Sequence, residues 1–312
     1  MFEKLIPYIN RHENILILPH INEDGDALGS SFALRLILLA MGKKAYVHMS
    51  AYHSYCDFLS GTEDNLPLDS YSLAIAVDCA DLDRIGERSA LFESCHERVV
   101  IDHHATNTGF GMENVVDGKA SACGELIFKL AQELDAVVTP EIATALYMAI
   151  SSDSGGFRYS NVSPETMRIG AALLECGAKA AQVNELLFES QTIEKLKLMK
   201  FALDSLELYD NGRICCITLT YDQFLQSGAK AEETDGLVNI PRSLDTADIA
   251  VFLREKADGT VKASLRCNDK ADVSQICRSF GGGGHIKAAG CSFECSLDEA
   301  KMKIIEKCTF KD

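Results

Sequence analysis

Apolar runs that stop at an aspartate or a histidine recur along this chain, and they constrain its fold more than any other feature. Ile15-Leu16-Ile17-Leu18-Pro19 ends at His20, with Asp24 and Asp26 four and six residues further on. Leu73-Ala74-Ile75-Ala76-Val77 ends at Asp78, and Val99-Val100-Ile101 ends at Asp102-His103-His104. Each run reads as a buried strand, and helix-like stretches separate them. Strands alternating with helices imply a parallel sheet. In an open sheet of that kind, ligands collect just beyond the carboxyl ends of the strands. A further acid, Asp153, follows the helix-like stretch from Ala143 to Ile150.

If Asp24, Asp26, Asp78 and Asp153 converge, about four like charges share one place, and they cannot all stay ionised without cations. Two divalent ions would neutralise them. A carboxylate and imidazole donor set suits Mn²⁺, Mg²⁺ or Fe²⁺ better than a thiolate-type zinc site.

Strands are expected at 14–19, 44–49, 72–78 and 98–102, and helices at 27–41, 121–134 and 141–151. Ser163-Pro164 caps a further helix over 164–175, ending at Gly177. Residues 182–209 lack Gly and Pro and read as one long helical connector. Beyond the Asn211-Gly212 turn, strands are expected at 213–220, 248–255 and 260–266, then a short helix over 271–280. The fold class is α/β: a parallel-sheet domain over 1–190, a helical linker over 191–212 and a smaller mixed domain over 213–312.

At 312 residues and 47% hydrophobic the chain can bury two cores. It has no apolar span long enough to cross a membrane and no signal-peptide pattern at its start. Its twelve cysteines form no Cys-x-x-Cys pair and read as buried thiols in a reducing cytosol, so a cytoplasmic protein is expected. The formal net charge of −16 argues against tight binding to long duplex nucleic acid. Residues 1–215 carry 17 Lys and Arg against 31 Asp and Glu, a net −14, so the acidic excess lies with the first half. Bound metals would reverse that charge locally and admit a small phosphate ester.

His20-x-x-x-Asp24-x-Asp26, Asp78, Asp102-His103-His104 and Asp153 together resemble the four ordered motifs of the DHH phosphoesterases. Gly281-Gly282-Gly283-Gly284-His285-x-x-Ala288-Ala289-Gly290 resembles the hallmark of the associated DHHA1 domain. The set is most similar to the nano-RNase/pAp-phosphatase group. That resemblance implies two divalent ions, Mn²⁺ foremost, with Mg²⁺, Co²⁺ or Fe²⁺ as alternatives. It implies His20 and Asp24 on one ion, Asp26, His103 and Asp153 on the other, and Asp78 bridging both. Asp102 would fix an imidazole tautomer and His104 would face the scissile phosphate; Arg158, whose guanidinium suits bidentate phosphate contact, is a candidate clamp for it. Ser264, Arg266, Gly282, Gly283, Gly284 and His285 would contact the nucleotide, four glycines exposing backbone N–H groups to an anion. Glu23 stands where that family often has proline.

The implied activity is hydrolysis of short oligoribonucleotides to mononucleotides, and removal of the 3′-phosphate of adenosine 3′,5′-bisphosphate (pAp). A phosphodiesterase of cyclic dinucleotides or their linear products uses the same parts. A non-catalytic nucleotide sensor is the rival from another class. Taken singly, Asp26 also reads as a helix cap, Arg158 as a surface arginine paired with a carboxylate, and the glycine run as a turn. A homodimer is compatible with the sequence.

Overall fold

A computed structural model describes residues 1–50, 58–59, 70–268 and 271–308. The chain divides into two compact units, Met1–Ser190 and Gln191–Asp312. The first unit is built on five parallel strands: β1 (Asn14–Pro19), β2 (Lys44–Val47), β3 (Leu73–Val77), β4 (Glu97–Asp102) and β5 (Glu113–Val116), in the order β2-β1-β3-β4-β5.

The continuous apolar runs are explained by burial on both faces. Ile15, Ile17, Leu73, Ile75, Val77, Val99 and Ile101 enter one core, with the helices Gly25–Ala40, Cys123–Glu133 and Pro140–Asp153. Leu16, Leu18, Ala74, Ala76 and Val100 enter a second core on the opposite face, with Ile85 and Phe92. Strand β5, Glu-Asn-Val-Val, is not marked by the sequence pattern. It lies at the sheet edge and only Val115 is buried, so it lacks the apolar run that distinguishes its neighbours.

The order β2-β1-β3 places a topological switch point between β1 and β3. The connections leave these two strands in opposite directions and open a crevice beyond their carboxyl ends. The register pairs Pro19 with Val77 and Val77 with Ile101. The next residues, His20, Asp78 and Asp102, therefore stand level on three adjacent strands.

Small residues bring a fourth contributor in. A Cβ on Gly29 would lie 2.4 Å from the Ala145 carbonyl oxygen, and one on Gly25 would lie 2.6 Å from Ser152 Cβ. Close crossing of the helices Gly25–Ala40 and Pro140–Asp153 thus depends on missing side chains. Gly29→Ala is expected to cost about 1–3 kcal/mol through overpacking, read as a lower urea midpoint at unchanged m-value.

The continuous helix expected over 182–209 is interrupted. A helix at Ala180–Asn184 runs into a π-turn at Glu185–Glu189, and Thr192 then caps a new helix, Ile193–Asp204, by accepting the Lys195 N–H at 3.0 Å. Residues 207–209, at the end of that expected helix, form a strand instead. The second unit is a six-stranded mixed sheet: β6 (Glu207–Tyr209), β7 (Ile214–Leu219), β8 (Ile249–Glu255), β9 (Val261–Cys267), β10 (Gly283–His285) and β11 (Ala288–Phe293). Its order is β10-β11-β9-β8-β7-β6, and only β7 and β8 pair in parallel. Among the described residues, no helix is long and apolar enough to cross a membrane. The eleven cysteines described are free thiols, and Cys56 lies outside the described residues.

Candidate metal centre

Among the described residues, three groups that could hold a metal ion gather at the ends of β1, β3 and β4 and at the end of the helix Pro140–Asp153. They are His20, Asp24 and Asp78; Asp26, His103 and Asp153; and Asp78, His103 and His104. His20 Nε2 stands 3.7 Å from Asp24 Oδ2 and 3.5 Å from Asp78 Oδ2. His103 Nε2 stands 3.7 Å from Asp26 Oδ2, 3.5 Å from Asp78 Oδ1 and 3.3 Å from Asp153 Oδ2. Asp78 therefore turns one oxygen toward each group. Its backbone sits at φ 60°, a left-handed conformation uncommon outside glycine.

Whether these residues fit a cation can be judged from their hydrogen bonding. Asp78 Oδ1 and His103 Nε2 are both buried and neither has a hydrogen-bond partner. Buried polar atoms are nearly always satisfied, and a carboxylate oxygen facing an imidazole nitrogen without a bond between them leaves room for an ion. The other ring nitrogens are already held: His20 Nδ1 bonds the Ile21 carbonyl at 2.8 Å and His103 Nδ1 the Ala120 carbonyl at 3.2 Å. Such bonds put the proton on Nδ1 and leave Nε2 available to a cation.

The electrostatics also call for positive charge. Burial alone would push His20 and His103 down. Close approach of the surrounding aspartates and their negative charge outweigh it and carry them up to about 10 and about 11. Asp26 is raised by burial and then by Asp78 and Asp153. Asp153 is pushed up to about 6, by burial first and then, against the lowering effect of His103, by Asp24 and Asp78. It is the last residue of its helix, where the helix dipole disfavours a negative charge.

Asp26 does cap a helix, but not its own. Its carboxylate accepts the N–H groups of Cys123 (2.6 Å) and Gly124 (3.0 Å), which open the helix Cys123–Glu133, and the Ser30 hydroxyl at 2.8 Å. The cap of its own helix is Asp24, which accepts the Asp26 and Ala27 N–H groups at 3.0 Å. The capping and ligand readings of this loop thus coexist.

Asp102 is fully buried and bonds His104 Nδ1 at 2.7 Å. Burial would raise its carboxyl, but the bond to His104 more than offsets this and holds it low. His104 is raised in turn. Asn107, which no sequence motif marks, donates to the other Asp102 oxygen at 2.7 Å and to the Cys79 carbonyl at 2.9 Å. Nothing in its spacing distinguishes it from a loop asparagine. Arg158 is exposed, donates its Nε to the Gly155 carbonyl and lies over the Phe188 ring at 5.4 Å. It is anchored by its own loop and is not one of the cluster's ion pairs.

In the second unit, Ser264 and Arg266 lie on one face of β9, opposite Gly290 and Ala288 of β11. They line a cavity with Thr234, Phe252, Arg254 and Lys262. The glycine run is not an open loop of free N–H groups. Gly281 N–H bonds the Arg278 carbonyl at 3.1 Å and Gly282 N–H the Cys277 carbonyl at 2.9 Å, with Gly281 at φ 76°, which closes the helix Val273–Arg278. Gly283, Gly284 and His285 then pair with β11 and are exposed. A Cβ on Gly284 would lie 2.5 Å from the Ala288 carbonyl oxygen, so close strand approach also demands glycine here.

A parallel sheet that gathers aspartates and histidines at its switch point, followed by a separate mixed-sheet unit edged by a glycine–histidine strand, defines the DHH class of proteins. The chain belongs to the DHH family: residues 14–150 match the DHH family N-terminal domain and residues 213–309 the DHHA1 domain. Among its relatives is the bifunctional oligoribonuclease and PAP phosphatase NrnA of Thermus thermophilus, 32% identical over 94% of this chain and 88% of that protein. A solved exopolyphosphatase-related protein from Bacteroides fragilis is 25% identical, covers 98% of this chain and 94% of its own, and superposes with a TM-score of 0.91. RecJ of Thermus thermophilus, solved in complex with Mn²⁺, shares the fold at 15% identity and a TM-score of 0.55, over 99% of this chain and 54% of its own.

Proposed function

We propose that the chain is a divalent-metal phosphoesterase that hydrolyses short oligoribonucleotides to mononucleotides and removes the 3′-phosphate of pAp. The observation that carries this reading is the pair of ligand groups joined through Asp78, with two buried polar atoms facing each other unbonded. The names and coverage of the relatives support the substrate class.

In this reading His20, Asp24 and Asp78 hold one cation and Asp26, Asp78, His103 and Asp153 the other, with Mn²⁺ the preferred ion for a nitrogen and oxygen donor set. Such ions, when bound, supply an activated water and neutralise phosphate charge. The chain's own part is proton and charge management. Asp102 keeps a proton on His104 Nδ1 and favours the imidazolium, so His104 can give its other proton to the leaving oxygen. Arg158 offers a planar guanidinium to the phosphate. Ser264, Arg266, Gly282, Gly283, Gly284 and His285 bind the nucleotide. The net charge of −16 favours a short substrate over a long duplex, and a cytoplasmic setting suits the free thiols.

The deciding experiment is a panel of pAp, two- to five-residue RNA and cyclic dinucleotides incubated with Mn²⁺ and the purified protein. Fastest turnover of pAp and the short RNAs is expected. Turnover confined to cyclic or linear dinucleotides would replace the proposed substrate class, and nucleotide binding without turnover would return the sensor reading. His104→Gln is expected to lower kcat by about 10²–10⁴-fold with little change in KM, the range for loss of a general acid.

A further inference from the structure

Glu23 and Arg88 form an ion pair beside the cluster without entering it. Their side chains are 0% and 8% exposed and approach to 3.3 Å. The Glu23 carboxylate also accepts the backbone N–H of Ser50 and, at 2.6 Å, its hydroxyl. Arg88 donates to the carbonyls of Pro19 at 2.9 Å, Ile85 at 3.2 Å and His48.

These bonds have one common consequence. Pro19 immediately precedes His20, and Glu23 immediately precedes Asp24. The pair therefore grips the loop at both ends of the segment that separates two ligand candidates. Between them, Ile21 N–H bonds the Arg84 carbonyl at 2.7 Å and Asn22 turns the backbone at φ 57°. Each charge is neutralised by the other, so the pair can fix geometry without adding a net charge to an already acidic site. A buried charge costs heavily unless paired, which ties the loop to both partners at once.

We propose that Glu23 is a positioning residue. Acting through Arg88 and Ser50, it sets the loop that aims His20 and Asp24 at a cation. The inference rests on the metal reading above.

The test is Mn²⁺ titration of the substrate-free protein, following free Mn²⁺ by electron paramagnetic resonance, for the parent, Glu23→Gln and Ser50→Ala. Glu23→Gln is expected to weaken Mn²⁺ binding about 10–100-fold, the usual effect of losing a group that orients a ligand. The Mn²⁺ concentration for half-maximal activity should rise by the same factor. Ser50→Ala keeps both charges buried and paired, and is expected to weaken binding about threefold through one lost hydrogen bond. It decides the matter should Glu23→Gln fail to fold. A pair that serves stability alone would lower the melting temperature of the metal-free protein and leave Mn²⁺ affinity within about twofold of the parent, which overturns the inference while the metal reading stands. A parent protein that binds no Mn²⁺ overturns both.

Discussion

Asp78→Asn is expected to lower kcat on pAp by about 10³-fold or more, the scale of losing a preorganised charge at a reacting phosphate. Asp78 is the one carboxylate, among the described ion pairs, whose two oxygens face different ligand groups: Oδ2 lies 3.5 Å from His20 and Oδ1 lies 3.5 Å from His103. Asparagine keeps the volume but replaces one oxygen with an N–H₂ group, which repels a cation. It also removes one negative charge from a site proposed to hold two ions. Tight Mn²⁺ stoichiometry should fall together with turnover. Asp83→Asn is the matched control, since Asp83 is exposed on the following turn and should change neither quantity. Turnover of Asp78→Asn within about tenfold of the parent would contradict the shared-ligand role.

Mn²⁺ is expected to raise the melting temperature of the metal-free protein by about 5–10 °C at 100 times its dissociation constant, from about 2.7 kcal/mol of linked stability. At a fixed Mn²⁺ concentration the effect should grow with pH. In the metal-free fold, burial opposes the charged forms of His20 and His103, but contact with the aspartates raises both to about 10 and about 11. Both imidazoles are then protonated at pH 7, above their unfolded value of about 6.5. Their stabilising contact with the aspartates is therefore fully present below about pH 6.5 and fades as pH rises through about 10 and about 11. A cation needs the unprotonated nitrogen and must displace that proton. Apparent affinity should therefore rise by about tenfold per pH unit for each proton released. Calorimetry at pH 6, 7 and 8 in buffers of different ionisation enthalpy measures the proton count. An affinity independent of pH would show that the imidazoles are not displaced ligands.

Strands buried on both faces are legible in the order of the amino acids, because a run of consecutive apolar residues must be covered on both sides to leave water. So are the acids that close them. Strand β11 carries no such mark, since Ala288-Ala289-Gly290-Cys291-Ser292-Phe293 looks like a motif rather than a strand. Its Gly290 faces β9, where an added Cβ would lie 3.1 Å from the Ala263 carbonyl oxygen, and it is Gly284 of β10 whose Cβ would strike Ala288 and Ala289. The short β6 is hidden in what reads as helix, where only the Thr192 cap betrays the break.

Local chemistry in the chain is enough to state which side chains could bind a cation: His20, Asp24, Asp26, Asp78, His103 and Asp153 each sit where an apolar element runs out. Their meeting is a matter of register and helix crossing. His20, Asp78 and Asp102 stand level only because Pro19, Val77 and Ile101 align across three strands. The helix bearing Asp153 reaches Asp26 only because Gly25 and Gly29 let it pass. Spacing along a chain records local conformation, whereas the distance between remote side chains is set by packing. For that reason the Asp26 cap on a distant helix, the Asn107 brace and the buried Glu23–Arg88 pair exist only in three dimensions.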